Sequence, residues 1–166
     1  MKRTLAALSL LAVLSLGRPG PVHADVVVTG QVGKNFYRIV VPDAWNGGLV
    51  FWNHGFSLNP PAPVTDMGPL STVQLGEGYA VAASSYRMAG WALFGSSNDL
   101  EDVYQAFVAQ FGTPNQVIVT GASLGGIVTA AALEQADLGN VTGAFSLCGA
   151  LAGSRNWAGA LDLRLG

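Results

Sequence analysis

Charge is scarce in this chain. Only 11% of its 166 residues are charged, with 8 lysines and arginines against 10 aspartates and glutamates. There is no basic run, patch or stripe, so nucleic acid is not an expected partner. Histidine is nearly missing: His23 and His54 are the two, and none follows. Cysteine occurs once, as Cys148. Two histidines and one cysteine do not assemble a zinc site, so no metal is expected. No G-x-G-x-x-G follows a strand-like run, which leaves no dinucleotide site and no expected cofactor. Long apolar runs are also lacking. The most continuous, residues 5–16, falls short of the roughly 20 residues that cross a bilayer, so no stable membrane span is expected.

That run belongs to a leader. Lys2 and Arg3 precede it, Arg18-Pro19 ends it, and Val22-His23-Ala24 puts small residues at −3 and −1 before Asp25. This is the layout of a secretory signal peptide over residues 1–24. It implies a secreted or periplasmic protein whose mature part begins at residue 25. Removal of Lys2, Arg3 and Arg18 makes the mature chain more acidic. Export implies an oxidising compartment, where a lone Cys148 is a free thiol or lacks its partner. A buried small apolar residue is the other account of it.

What the chain does have is apolar residues, half of the total, and a length suited to one domain. Residues 26–32 and 35–41 are β-rich runs around Gly33-Lys34 and predict an antiparallel hairpin. Residues 49–52 and 79–84 are continuous apolar runs bounded by turns, as in strands buried on both faces. A proline-rich loop with Pro60, Pro61 and Pro63 lies between them. A short helix is predicted over 69–76, with Pro69 in its first turn. Leu100, Val103, Tyr104, Phe107, Val108 and Phe111 recur at three and four residues, predicting an amphipathic helix ended by Gly112. Ser97 or Asn98 would cap it, with Asp99, Glu101 and Asp102 in its first turn. A further helix would end near Leu138-Gly139, and a last strand would span 141–147. Strands alternating with helices predict an α/β fold: a hairpin, then a mostly parallel sheet with helices on both faces.

The central stretch is residues 116–126, QVIVTGASLGG. A β-branched run feeds into Gly121-Ala122-Ser123-Leu124-Gly125, and a helix-like segment follows at once. A serine between two glycines at a strand-to-helix corner is how a hydroxyl is presented as a nucleophile. The turn is too tight for side chains two before and two after the serine, which Gly121 and Gly125 satisfy. Unpaired N–H groups at the helix start can stabilise a developing negative charge.

With His54-Gly55-Phe56 after the first buried strand, this pattern resembles the α/β-hydrolase superfamily. It is similar in particular to secreted bacterial esterases and prolyl-oligopeptidase-like hydrolases. Ser84-Ser85-Tyr86-Arg87, Gly90-Trp91-Ala92, the stretch from Cys148 to Gly153, and Trp157 add weaker likeness. The resemblance implies that Ser123 is the nucleophile of an acyl-enzyme mechanism on a small-molecule ester or acyl substrate. It implies an oxyanion hole from the N–H of Leu124 and the N–H of Phe56, with Gly55 as runner-up. His54 would shape that loop, because in this fold the base follows the serine in chain order.

The chain departs from the family after Ser123, where no histidine occurs. Glu134 and Asp137 fall at the far end of the helix and Asp162 in the tail, and none suits the role of triad acid. The expectation is therefore a fold incomplete at its C-terminus, residues 25–166 lacking the acid and histidine strands and inactive alone. The missing strands would leave a raw sheet edge and an uncovered apolar face. A non-catalytic binding protein of the same fold, or a peptidase of the prolyl-oligopeptidase-like kind, is the alternative. Trp52, Trp91 and Phe94 are expected to pack in core and loops rather than line a substrate pocket. Arg87 is expected to tie to a loop carbonyl or to Asp99. Asp43 and Asp66 are expected in turns.

Overall fold

A computed structural model describes residues 25–153 together with 155, 156 and 159. The leader, including His23, and the positions Trp157 and Asp162 lie outside the described residues. Strands β1 (Val26–Val32) and β2 (Asn35–Val41) form the expected antiparallel hairpin, turning at Gly33 with φ 58°. There follow β3 (Gly48–Asn53), α1 (Ser71–Gly76), β4 (Ala80–Ser84), α2 (Leu93–Phe111), β5 (Gln116–Ala122), α3 (Leu124–Gln135) and β6 (Val141–Leu147). One six-stranded sheet has the order β1-β2-β4-β3-β5-β6. Its first two pairings are antiparallel, and β4, β3, β5 and β6 run parallel.

Side chains alternate across this sheet and build two apolar layers. Ile39, Leu49, Phe51, Ala82, Val117 and Val119 face α2 and α3 in the larger layer. Val40, Val81, Ala83, Met67 and Trp52 form a smaller one near α1. That second layer stops short of β6. Phe145 and Leu147 are about half exposed, and among the described residues β6 pairs only with β5. Among the described residues, then, β6 is an edge strand with a partly exposed apolar face.

Three boundaries differ from expectation. Helix α1 starts at Ser71, so Pro69 lies outside it, and it buries no residue. Helix α3 ends at Gln135, three residues early, where Ala136 turns to extended backbone. Helix α2 starts at Leu93, so neither Ser97 nor Asn98 caps it, and no acidic residue sits in its first turn.

The acidic residues serve tertiary structure instead. The Asp99 carboxylate, almost fully buried, accepts the Arg87 backbone N–H at 3.0 Å and the Arg87 Nε at 2.6 Å. The Asp99 carbonyl accepts Asn35 Nδ2 at 2.9 Å. Asp99 thus binds α2 to the ends of β2 and β4. Arg87 makes the tie to Asp99 that its position suggested, with Asp102 more distant at 3.5 Å.

Burial raises the Asp99 carboxyl above the usual range, against the pull of Arg87. The folded chain then holds this proton to higher pH than the unfolded chain does. The associated stability is full below the unfolded value and is lost as pH rises through the folded one. Asp99→Asn should flatten that acid-side slope in urea melts taken across the carboxylate range. Asp99→Ala, which leaves the Arg87 N–H without its acceptor, should cost about 1–3 kcal/mol at constant m-value.

Candidate active site

Strand β3 lies between β4 and β5, so the segments following these three strands emerge side by side at one sheet edge. In register, Asn53 at the end of β3 pairs with Gly121 on β5. The His54-Gly55-Phe56 loop therefore leaves the sheet beside the corner that carries Ser123. In parallel sheets this carboxyl edge is where ligands bind.

Ser123 stands between β5 and α3 with φ 56° and ψ −121°. A non-glycine residue in that conformation carries about 1–3 kcal/mol of strain. Its N–H donates to the Leu147 carbonyl at 2.8 Å, and its carbonyl accepts the Gly126 N–H at 3.0 Å. The residue is exposed. It occupies the cap position of α3, yet its hydroxyl makes no capping hydrogen bond. Serine normally contributes about 1 kcal/mol at such a position by bonding N–H groups of the first turn. Here the hydroxyl is left unspent, and no acidic side chain lies in that turn.

The flanking glycines are required by contact. A methyl group at Gly121 would collide with the Gly125 carbonyl, and one at Gly125 with the Asn53 carbonyl. The latter would also come within 2.6 Å of the His54 carbonyl oxygen. A methyl at Gly126 would likewise come within 2.6 Å of Ser146 Oγ and 2.9 Å of Gly149 Cα. A methyl at Gly55 would sit 3.4 Å from Ser123 Cβ, which places this loop directly against the serine. Leu124 is the first residue of α3, and its N–H is among those with no intrahelical acceptor. Below the corner, Asn53 Nδ2 donates to Thr129 Oγ1 at 3.1 Å, and the Thr129 hydroxyl donates to the Gly125 carbonyl at 2.9 Å.

The loop after β3 is held from the other side. His54 Nδ1 lies 2.7 Å from the Gly55 carbonyl, which can only accept, so Nδ1 carries the hydrogen. The imidazole lies against the Tyr86 ring, 4.3 Å between centroids. The Tyr86 hydroxyl donates to the His54 carbonyl at 3.1 Å. Tyr86 is itself buried and left-handed, with φ 56°. Its N–H donates to Ser84 Oγ at 2.9 Å, and that hydroxyl donates to the buried Asn35 Oδ1 at 2.7 Å. Burial, with Asp99 nearby, raises the Tyr86 phenol well above its ordinary value, so it remains a donor. Asn35, Asn53, Ser84 and Thr129 were not anticipated from sequence. Only the hydroxyl-rich stretch before Arg87 hinted at the network.

Other candidates separate. Trp52 packs in the smaller core layer against Gly68. Phe94, expected to pack, is 89% exposed on the first turn of α2. Trp91 is 44% exposed and meets Phe56, itself 51% exposed, at 6.2 Å between rings. Cys148 is exposed, which removes the buried reading of that residue. Asp66 Oδ1 accepts the Gly68 N–H at 2.8 Å, as a turn residue does. Glu134 lies at the far end of α3 and Asp137 just beyond it, where the Asp137 carboxylate accepts the Gly139 N–H and the Asp137 N–H donates to the Glu101 carboxylate. A cavity of about 390 Å³ is lined by His54, Ser57, Tyr86, Met88 and the prolines of the 57–66 loop, but not by Ser123. Among the described residues no three His, Cys, Asp or Glu side chains gather as metal ligands would. No described helix is long and apolar enough to cross a membrane.

No protein-family model matches the chain, and no curated protein matches it in sequence. Solved structures do match in fold. A rice cell wall degrading esterase from Xanthomonas oryzae is 15% identical with a TM-score of 0.60, over 74% of this chain and 39% of that one. Lipase A from Candida antarctica is 18% identical with a TM-score of 0.51, over 66% and 32%. An acylaminoacyl peptidase from Pyrococcus horikoshii is 13% identical with a TM-score of 0.50, over 70% and 21%. The fold is that of the α/β-hydrolases, and the chain spans well under half the length of these structures.

The corner geometry makes two stability predictions. Gly125→Ala should cost at least about 1–3 kcal/mol, because backbone carbonyls block the added methyl group. Ser123→Gly should gain about 1 kcal/mol by relieving a left-handed serine, whereas Ser123→Ala should stay within about 0.5 kcal/mol of the parent. Chemical denaturation of the three variants checks both.

Proposed function

We propose that this chain carries the nucleophile and oxyanion hole of a serine hydrolase acting on carboxylic esters. Ser123 Oγ attacks the ester carbonyl carbon, and the carbonyl π pair moves onto its oxygen. The N–H groups of Leu124 and Phe56 receive that oxyanion, with Gly55 the runner-up to Phe56. Collapse expels the alcohol and leaves an acyl-enzyme, which water then hydrolyses. One observation carries this reading: an exposed serine is held left-handed at a helix start, its hydroxyl unspent on capping. Serine elsewhere at such a position would be expected to cap. The esterase and lipase among similar folds support esters as the substrate class by analogy of fold.

The serine proton needs an acceptor, and residues 124–166 contain no histidine. His54 is not assigned this role, because in this fold the base follows the serine in chain order. An acid and a histidine from chain beyond residue 166 would complete the triad in the order serine, acid, histidine. The leader-like residues 1–24 support an exported protein. The absent histidine also supports a second reading, a non-catalytic relative that keeps the fold for binding.

A fluorophosphonate probe separates the two. It should form a slow adduct at Ser123 in this chain, located by peptide mass mapping and absent from Ser123→Ala. A chain extended through an acid and a histidine should react about 10²–10⁴-fold faster. No adduct in either chain, with the alanine control equally folded, would leave the binding protein.

A further inference from the structure

We infer that Tyr86 and His54 are positioning residues for the oxyanion hole, each clamping the carbonyl of one peptide and so aiming the N–H of that same peptide. The inference rests on the ester-hydrolase assignment of Ser123 above. In a trans peptide the C=O and N–H point in opposite directions across one rigid plane. The structure contains no cis peptide among the described residues. The His54–Gly55 peptide is fixed through its carbonyl, which accepts the Tyr86 hydroxyl at 3.1 Å. The same carbonyl is closed in by Gly125, where an added methyl would approach to 2.6 Å. The Gly55–Phe56 peptide is fixed through its own carbonyl, which accepts His54 Nδ1–H at 2.7 Å. The two candidate donors, Gly55 N–H and Phe56 N–H, therefore have no independent freedom to rotate.

Tyr86 is built for this task at some cost. It is a bulky residue held at φ 56°, and it is fully buried. Its N–H is anchored to Ser84 Oγ, and its ring supports the imidazole. The Asn35–Ser84 pair below it is itself buried and hydrogen-bonded. The clamp is thus tied through two strands to the sheet rather than to a mobile loop. Preorganised donors of this kind stabilise a developing oxyanion without reorganising during reaction.

Because residues 124–166 supply no imidazole, this chain isolates the oxyanion hole from the rest of the machinery. The test uses an aryl trifluoromethyl ketone and the secondary alcohol obtained by its reduction. Ser123 Oγ adds to the ketone carbon, the π pair becomes an alkoxide, and the serine proton passes to buffer base. The alcohol forms no such adduct and reports binding alone. Fluorine NMR gives both affinities. Tyr86→Phe, which removes one oxygen, should weaken the ketone about 10-fold and leave the alcohol unchanged. His54→Leu should do likewise. His54→Asn, whose Nδ2 can take the place of Nδ1, should recover most of the loss. In the parent adduct the Phe56 amide proton should move downfield, and less so in Tyr86→Phe.

A purely structural role would shift both affinities together or neither. If the parent forms the adduct and Tyr86→Phe keeps an unchanged ketone-to-alcohol ratio, with His54→Leu the same where it folds, the positioning role is overturned and Ser123 stands as nucleophile. If the folded parent forms no adduct, and Ser123→Ala gives the same spectra, the assignment of Ser123 fails and the clamp fails with it.

Discussion

One close approach governs the rest: the start of α3 rides on the backbone leaving β3. Gly125 meets the Asn53 and His54 carbonyls with no room for a side chain, and Gly121 meets Gly125 in the same way. Any bulk at either position would push helix and loop apart. Ser123, caught between them, is bent into a conformation that serine avoids. The strain is offset locally by the bonds to Leu147 and Gly126 and by the Asn53–Thr129–Gly125 chain beneath. A glycine in place of the serine would fold with less strain but would have no hydroxyl to present. The corner sacrifices stability to hold an oxygen in view.

The same device recurs along the sheet edge. Among the described residues, the non-glycine ones with positive φ are Tyr86, Ser123 and Cys148. Each lies one or two residues beyond a parallel strand, β4, β5 and β6 respectively. Three of the four parallel strands thus end in backbone that would not form without support. Strain gathered at one edge marks where the fold departs from what is cheapest, and such departures concentrate at functional sites. Around Tyr86 the support is a buried polar network, Asn35, Ser84 and Asp99 with Arg87. Its members come from β2, from β4 and the segment after it, and from α2, so the sheet, a helix and the site wall share one set of bonds.

The strands, their order of type and the corner itself were legible in the sequence, because periodicity and the glycine pattern are local signals. The hairpin over Val26–Val32 and Asn35–Val41 and the last strand Val141–Leu147 match expectation. What was not legible was settled by distant partners. The Arg87–Asp99 tie was anticipated, but Asp99 looked like a first-turn residue near a cap, whereas the helix already begins at Leu93 without a capping side chain. Phe94 looked like packing material, but the earlier helix start turns it into solvent. The clamp of Tyr86 on His54 joins positions 32 residues apart, and no spacing rule connects them. Ser123, Leu124, Gly55 and Phe56 could be proposed as a group from the motifs. That Gly55 lies against Ser123 needed the β3–β5 register.

Scarcity of charge acquires a meaning at this edge. An acidic residue in the first turn of α3 would favour the helix dipole and stabilise the fold. None is there, and the cap hydroxyl is not used either. No acidic side chain of the helix's own first turn compensates its positive end. A fixed carboxylate would have met those amides in advance and repelled any second negative charge. On the proposed reading, an oxyanion formed on a substrate would meet them only as the reaction proceeds. Interactions that strengthen only then are the ones that lower a barrier, since binding shared by ground and transition states does not. The helix start thus forgoes two ordinary sources of stability, and both omissions favour the same transient charge.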